Sequence, residues 1–129
     1  MRVGLDLQSI EDVEQSMKDF GSRYTRRIFT EHEIESCQGN ARVIASGLAS
    51  RFAAKEAVMK VLNMDNDAPG WKSIEVRRHH SGRPDIVLYG DAAQMARRQH
   101  IEGFSVSLSH DGGVAAAAVI ATISRISHA

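Results

Sequence analysis

One cysteine among 129 residues leaves no partner for an intrachain disulfide, which suits a reducing compartment. No base motif surrounds Cys37, so it reads as a small helix residue rather than a nucleophile. Also missing is any apolar run of about 18 residues, so no segment reads as a bilayer span. The N-terminus is a strand-like Val3-Gly4-Leu5-Asp6-Leu7 and not a charged region leading into a long apolar run. No signal peptide is therefore expected, and the expected address is cytoplasmic. Excess charge of either sign is absent too: 16 basic residues balance 16 acidic ones. That balance argues against nucleic acid or a membrane surface as partner, so an anionic ligand would have to be met by a local basic cluster. There is no internal repeat, low-complexity tract or Pro/Gly/Ser linker, and 1–129 reads as a single domain. Walker-type loops, a GxSxG elbow and a CxxC pair are likewise not found.

What is present is a clear succession of short elements. Residues 2–7 alternate as a strand, and Ser9 offers an N-cap to a helix over about 10–19, closed near Gly21. Residues 23–29 read as a short basic helix. Thr30 with Glu33 has the capping-box pattern and should start another helix over about 31–37, broken by Gly39-Asn40. The longest helical signal runs over about 41–64, followed by a polar turn at 65–70. Residues 71–79 and 85–89 read as strands joined by the turn chemistry of Ser81-Gly82-Arg83-Pro84. A helix over 91–99 follows. Phe104, Val106 and Leu108 then alternate with Ser105, Ser107 and Ser109, and His110-Asp111-Gly112-Gly113 turns the chain into an apolar, buried strand over 114–123. The order predicts an α+β domain, with an antiparallel sheet packed against one long helix and shorter ones.

Local rules fail at three places, and such places tend to be functional. Ile44, Leu48, Phe52, Lys55, Met59 and Leu62 share one face of the long helix, so one member of an apolar stripe is an ammonium that must escape to solvent or meet an anion. Arg51 lies one turn earlier, and Glu56 and Lys60 are spaced as an i,i+4 pair. Asp6 interrupts an apolar strand, where aspartate is disfavoured. If Asp6 and Glu56 met, they would offer two hard oxygen ligands, the usual protein share of a magnesium site. Ser107, Ser109 and His110 end a strand before a glycine turn whose free N–H groups could receive a phosphate. The plain readings stand beside these: a snorkelling lysine, a strand-end carboxylate, a structural hairpin. His32, His79, His80, His100 and His128 show no metal spacing and read as surface residues.

The ordered set Gly4-Leu5-Asp6, Arg51-Phe52-Ala53-Ala54-Lys55-Glu56-Ala57 with Lys60, Gly82-Arg83-Pro84, and Ser107-Leu108-Ser109-His110 resembles the holo-acyl-carrier-protein synthase family in its short, bacterial-type branch. Arg27-Ile28-Phe29-Thr30 with Glu33 is similar to the segment between that family's first two motifs, and the resemblance spans about residues 3–121. It implies a 4′-phosphopantetheinyl transferase-like fold. It also implies magnesium-dependent transfer of the phosphopantetheine arm of coenzyme A to a serine of an acyl carrier protein, releasing adenosine 3′,5′-bisphosphate. On that resemblance Asp6 and Glu56 hold magnesium. Arg51, Lys55 and His110, with Ser109 beside it, face the phosphates of coenzyme A. Gly82, Arg83 and Pro84 border the adenine, and Lys60 orients Glu56 or assists deprotonation of the serine. The resemblance further implies a homotrimer with active sites between protomers. In one respect the chain departs from it: Ile10-Glu11-Asp12-Val13-Glu14 is acidic where many relatives are basic, which leaves Arg23, Arg26 and Arg27 as docking cations and points to a less acidic carrier. The competing readings are a coenzyme A- or nucleotide-binding module without transfer, and a structural or regulatory oligomer.

Overall fold

Side-chain caps divide the first half of the chain into elements. In the computed structural model, which describes residues 1–64 and 68–124, β1 (Arg2–Ser9) runs directly into α1 (Ile10–Phe20). Ser9 Oγ accepts the Asp12 N–H at 3.1 Å, which satisfies a first-turn donor. Gly21, at φ 57°, ends α1 and opens α2 (Ser22–Ile28). The Thr30/Glu33 capping box forms in both directions, at 2.9 and 3.2 Å, and starts α3 (Glu31–Ser36). Asn40 Oδ1 accepts the Val43 N–H at 2.9 Å at the head of α4 (Ala41–Val61).

The long helix is buried over far more than the single stripe expected. Ala45, Ala49, Ala53, Ala54 and Ala57 are all inside, because α1, the sheet and the β2 region pack on different sides of α4. The expected strand over 71–79 is shortened at its start. Ser73 N–H and Ser73 Oγ–H both donate to Gly70 O, at 3.0 and 2.6 Å, winding Trp71–Ser73 into a 3-10 turn. The hairpin itself is as expected, β2 (Ile74–Arg78) antiparallel to β3 (Pro84–Leu88). After α5 (Gly90–Arg98) come β4 (Ile101–Asp111) and β5 (Val114–Ile123), joined by Gly112 and Gly113 at φ 57° and 83°. Two positive φ values in a two-residue hairpin turn suit glycine pairs. Part of the polar turn expected at 65–70, namely residues 65–67, lies outside the described residues, as does His128.

β1, β5 and β4 form an antiparallel sheet in that order. Its inner face, with Ala115, Ala117, Val119 and Ala121, packs on α4. The strand over 114–123 was expected to be buried, yet its other face is open. Val3, Leu5 and Leu7 stand 67, 58 and 61% exposed, beside Ile120 and Val114 on β5.

Candidate active site

Gly4 decides where the acidic pair sits. A Cβ there would lie 2.3 Å from Ala57 O, so only glycine lets β1 lie this close on α4. Asp6 follows two residues later on the same face of the strand. Glu56 precedes Ala57, and Lys60 follows one turn on. Lys60 Nζ donates to Leu5 O at 2.7 Å and pairs with Asp6 Oδ1 at 3.2 Å, while Gln8 Nε2 donates to the other Asp6 oxygen at 2.9 Å. The i,i+4 spacing suggested Glu56 as the partner of Lys60, but the lysine reaches across to the strand. Burial raises the Glu56 pKa, the negative charge of Asp6 raises it further, and Lys60 opposes both. Asp6 and Glu56 therefore feel each other's charge, as the motif spacing alone could not show.

His110 shares this face of the sheet. The register pairs Asp6 and Leu108 with Ala117, and Gln8 and His110 with Ala115, so His110 stands two strands from Gln8 in one row. Ser107 and Ser109 belong to the opposite face, with Ala118 and Ala116. The grouping of Ser109 with His110 in one receiving cluster is corrected by strand alternation.

Arg51 lies elsewhere. At about 100° per residue it points roughly 180° around α4 from Lys60. It is 5% exposed, donates Nη1 to Gly47 O at 3.0 Å, and keeps a buried Nε–H with no partner. It lines a cleft of about 500 Å³ together with His32, Cys37, Gly47 and Arg78. Burial raises the Cys37 thiol pKa, with Arg51 as the opposing influence, which suits the non-nucleophilic reading. Arg78 Nη1 donates to Gly82 O at 2.6 Å and so joins this cleft to the Gly82-Arg83-Pro84 turn. Arg83 and Pro84 in turn line a neighbouring cleft of about 230 Å³ with Phe104 and Val106. His32 is half-buried and lines the Arg51 cleft at the surface; His79 is exposed and bonds Asp85 at 3.3 Å.

Lys55 is corrected most sharply. Of the two options, solvent or an anion, it takes an anion, and that anion is Glu33 rather than a phosphate, with Oε1 at 2.7 Å and both side chains fully buried. Lys55 also donates to Trp71 O at 3.0 Å and to Ile74 O. Three donors meet three protein acceptors, so no N–H remains for a phosphate. Burial lowers the ammonium's pKa, opposed by the Glu33 charge and hydrogen bond. From the sequence, Glu33 is a capping residue and part of the family-like segment after Arg27, with no sign of its pairing to Lys55, and Arg78 carries no signal, because a basic residue at a strand end is ordinary. The capping box was the available signal for Glu33.

The family model for the 4′-phosphopantetheinyl transferase superfamily matches residues 2–119. The chain is 40% identical over 120 residues to a holo-[acyl-carrier-protein] synthase of Moorella thermoacetica, covering 93% of this chain and 92% of that one. It is 42% identical over 122 residues to one from Streptomyces avermitilis, covering 92% and 94%. The solved structure of the Helicobacter pylori holo-[acyl-carrier-protein] synthase in complex with coenzyme A superposes with a TM-score of 0.81 at 28% identity, over 94% of this chain and 100% of that one. The chain belongs to the 4′-phosphopantetheinyl transferase superfamily.

Proposed function

We propose that this protein is a holo-acyl-carrier-protein synthase, moving the 4′-phosphopantetheine group of coenzyme A onto a serine of an acyl carrier protein. The observation that carries the reading is the close approach of Gly4 to Ala57, which brings the strand of Asp6 onto the helix of Glu56 so that the charge of Asp6 raises the Glu56 pKa, in a chain of this superfamily. Two mutually repelling carboxylates with hard oxygens fit a magnesium ion that keeps waters and substrate phosphates as its other ligands. Among the described residues no third metal-ligating group of the His/Cys/Asp/Glu type joins them, which such a site does not need. Bound there, magnesium would neutralise charge on the pyrophosphate.

The protein's own part is positioning. The serine oxygen forms a bond to the phosphorus of the pantetheine arm, the bond from that phosphorus to the bridging oxygen breaks, and adenosine 3′,5′-bisphosphate leaves. Lys60 holds Asp6 in place and stands, half exposed, where the serine arrives. His110 on the same sheet face, and Arg51 with Arg78, supply hydrogen-bond donors for the phosphates, while Gly82, Arg83 and Pro84 border the adenine. The unpartnered Nε–H of Arg51 is the donor an anion would satisfy.

One chain holds these groups in two places on opposite sides of α4. A homotrimer would join the acidic half of one protomer to the Arg51 half of its neighbour, and the open apolar face of Val3, Leu5, Leu7 and Ile120 supplies a surface for such an assembly. The carrier would approach across α1, which starts four residues after Asp6. Its exposed Glu11 and Asp12 disfavour an acidic carrier at that point, and a cleft of about 280 Å³ lined by Phe20, Arg23, Tyr24 and Arg27 offers cations further along. Among the described residues no helix is long and apolar enough to cross a membrane, in keeping with a cytoplasmic enzyme.

The test is to incubate the protein with coenzyme A, magnesium and an apo-carrier. A carrier heavier by one phosphopantetheine group means transfer. Coenzyme A binding without that gain would make it a binding module, and neither result would leave only an oligomer.

A further inference from the structure

The Glu33–Lys55 pair is a buried charge pair to which the transfer reaction assigns no direct part. Well-packed apolar residues often do as well for stability, and breaking such a pair is costly. Its contacts are unusually specific for one stretch of backbone. Lys55 donates to Trp71 O and Ile74 O, while Glu33 Oε2 accepts the Val76 N–H at 2.8 Å and Oε1 accepts the Thr30 N–H at 2.9 Å. Four backbone groups, three of them at the start of the β2–β3 hairpin, are thus held against the middle of α4.

Strand alternation gives this anchoring a consequence. Ile74 and Val76 face the core, so Arg78, two residues further, continues the same face and reaches the Arg51 cleft. A slip of β2 by one residue would send Arg77 or His79 there instead. The hairpin's own apolar contacts would tolerate such a slip poorly but do not name a register as directly as paired hydrogen bonds to Ile74 O and Val76 N.

We propose that Glu33 and Lys55 are positioning residues that fix the register of β2 on α4, so that Arg78, and with it the Gly82–Pro84 turn, meets Arg51 at one set spacing around the coenzyme's phosphates. This rests on the coenzyme A reading of the Arg51 cleft. Neither residue touches substrate: one is bound to the other and to backbone.

The test is steady-state transfer by the full-length protein, with coenzyme A varied at saturating carrier and magnesium. The variants are Glu33→Gln and, as a destabilising core control that leaves the Glu33 and Lys55 hydrogen bonds in place, Met95→Ala in α5. All assays are run well below the melting temperature of each variant. Because the loss would fall on binding shared by ground and transition states, KM for coenzyme A should rise about tenfold in Glu33→Gln with kcat within about threefold. Met95→Ala should leave KM near wild type. An equal KM rise in both variants, or a fall in kcat with KM unchanged, overturns the proposal. Should Glu33→Gln fail to fold, Lys55→Gln, which keeps an amide donor for the two carbonyls, carries the same expectation and the same refutation. A wild-type protein that transfers nothing would sink the transferase reading instead, so the two failures are distinguishable.

Discussion

Asp6 and Glu56 are the residues to which the proposed function gives the metal; Asp6 was marked in the sequence by interrupting an apolar strand, Glu56 only by its place in the Arg51–Ala57 motif. Replacing either with alanine should lower the transfer rate about 10²–10⁴-fold, the scale of a lost metal-ligand contribution; near-normal turnover in both variants would remove the metal assignment. The raised Glu56 pKa adds a pH signature. The folded chain holds that proton more tightly than the unfolded chain, so the stability it contributes is full below the ordinary glutamate value of about 4.3 and falls as pH rises through the raised one. Magnesium can replace the proton as neutralising partner. The gain in melting temperature on adding magnesium should therefore be negligible below about pH 4 and grow through the weakly acidic range. A gain independent of pH would argue against ion binding between the two carboxylates. Lys55 shows the limit of reading one helix. Its place in an apolar stripe left solvent or an anion, but which of them it meets depends on how α3 and the hairpin fold back, and no local pattern encodes that. Lys55→Met, which a phosphate role would leave stable, should instead cost about 3–5 kcal/mol in denaturant unfolding by stranding Glu33.

At the scale of elements, the boundaries set by Ser9 and by Thr30 with Glu33 were legible as side-chain caps, whereas Asn40, read only as a helix breaker, also caps α4 by accepting the Val43 N–H. Residues 71–73 were not, since the alternation there looks like a strand and the 3-10 turn depends on hydrogen bonds back to Gly70. The glycine of Gly4-Leu5-Asp6 was recognisable in the motif, but its reason appears only when β1 is laid on α4. Gly4→Ala should force the two apart at a cost of about 1–3 kcal/mol and reduce activity more than the melting temperature suggests, because Asp6 moves with the strand. Equal activity at matched stability would contradict that coupling. The acidic start of α1 invites a charge test. With Glu11→Lys and Asp12→Arg together, the specificity constant toward a strongly acidic carrier should rise at low salt, and the gain should fade as salt is added. No change at low salt would reduce those carboxylates to compensation of the helix dipole.

At the scale of the molecule, the apolar character of residues 114–123 was legible and its cause was not: one face of β5 packs on α4, and the other is left open beside Val3, Leu5 and Leu7. A strand apolar on both faces reads as buried from sequence whether the second cover is its own chain or another copy. If the proposed homotrimer forms through this face, Leu5→Asp should leave a folded monomer in sedimentation and abolish transfer. The proposed division of the site between two sides of α4 makes a still more direct measurement available, the intact mass of an apo-carrier after incubation with coenzyme A and magnesium. Wild-type protein should add one phosphopantetheine group to each carrier, while Asp6→Ala and Arg51→Met should each add it very slowly. When the two variants are unfolded and refolded together, about a quarter of the interfaces pair an intact acidic half with an intact Arg51 half, and the mass gain should return at about that fraction of the wild-type rate. No gain with wild-type protein would contradict the transferase reading, and no recovery in the mixture would contradict a site built from two copies.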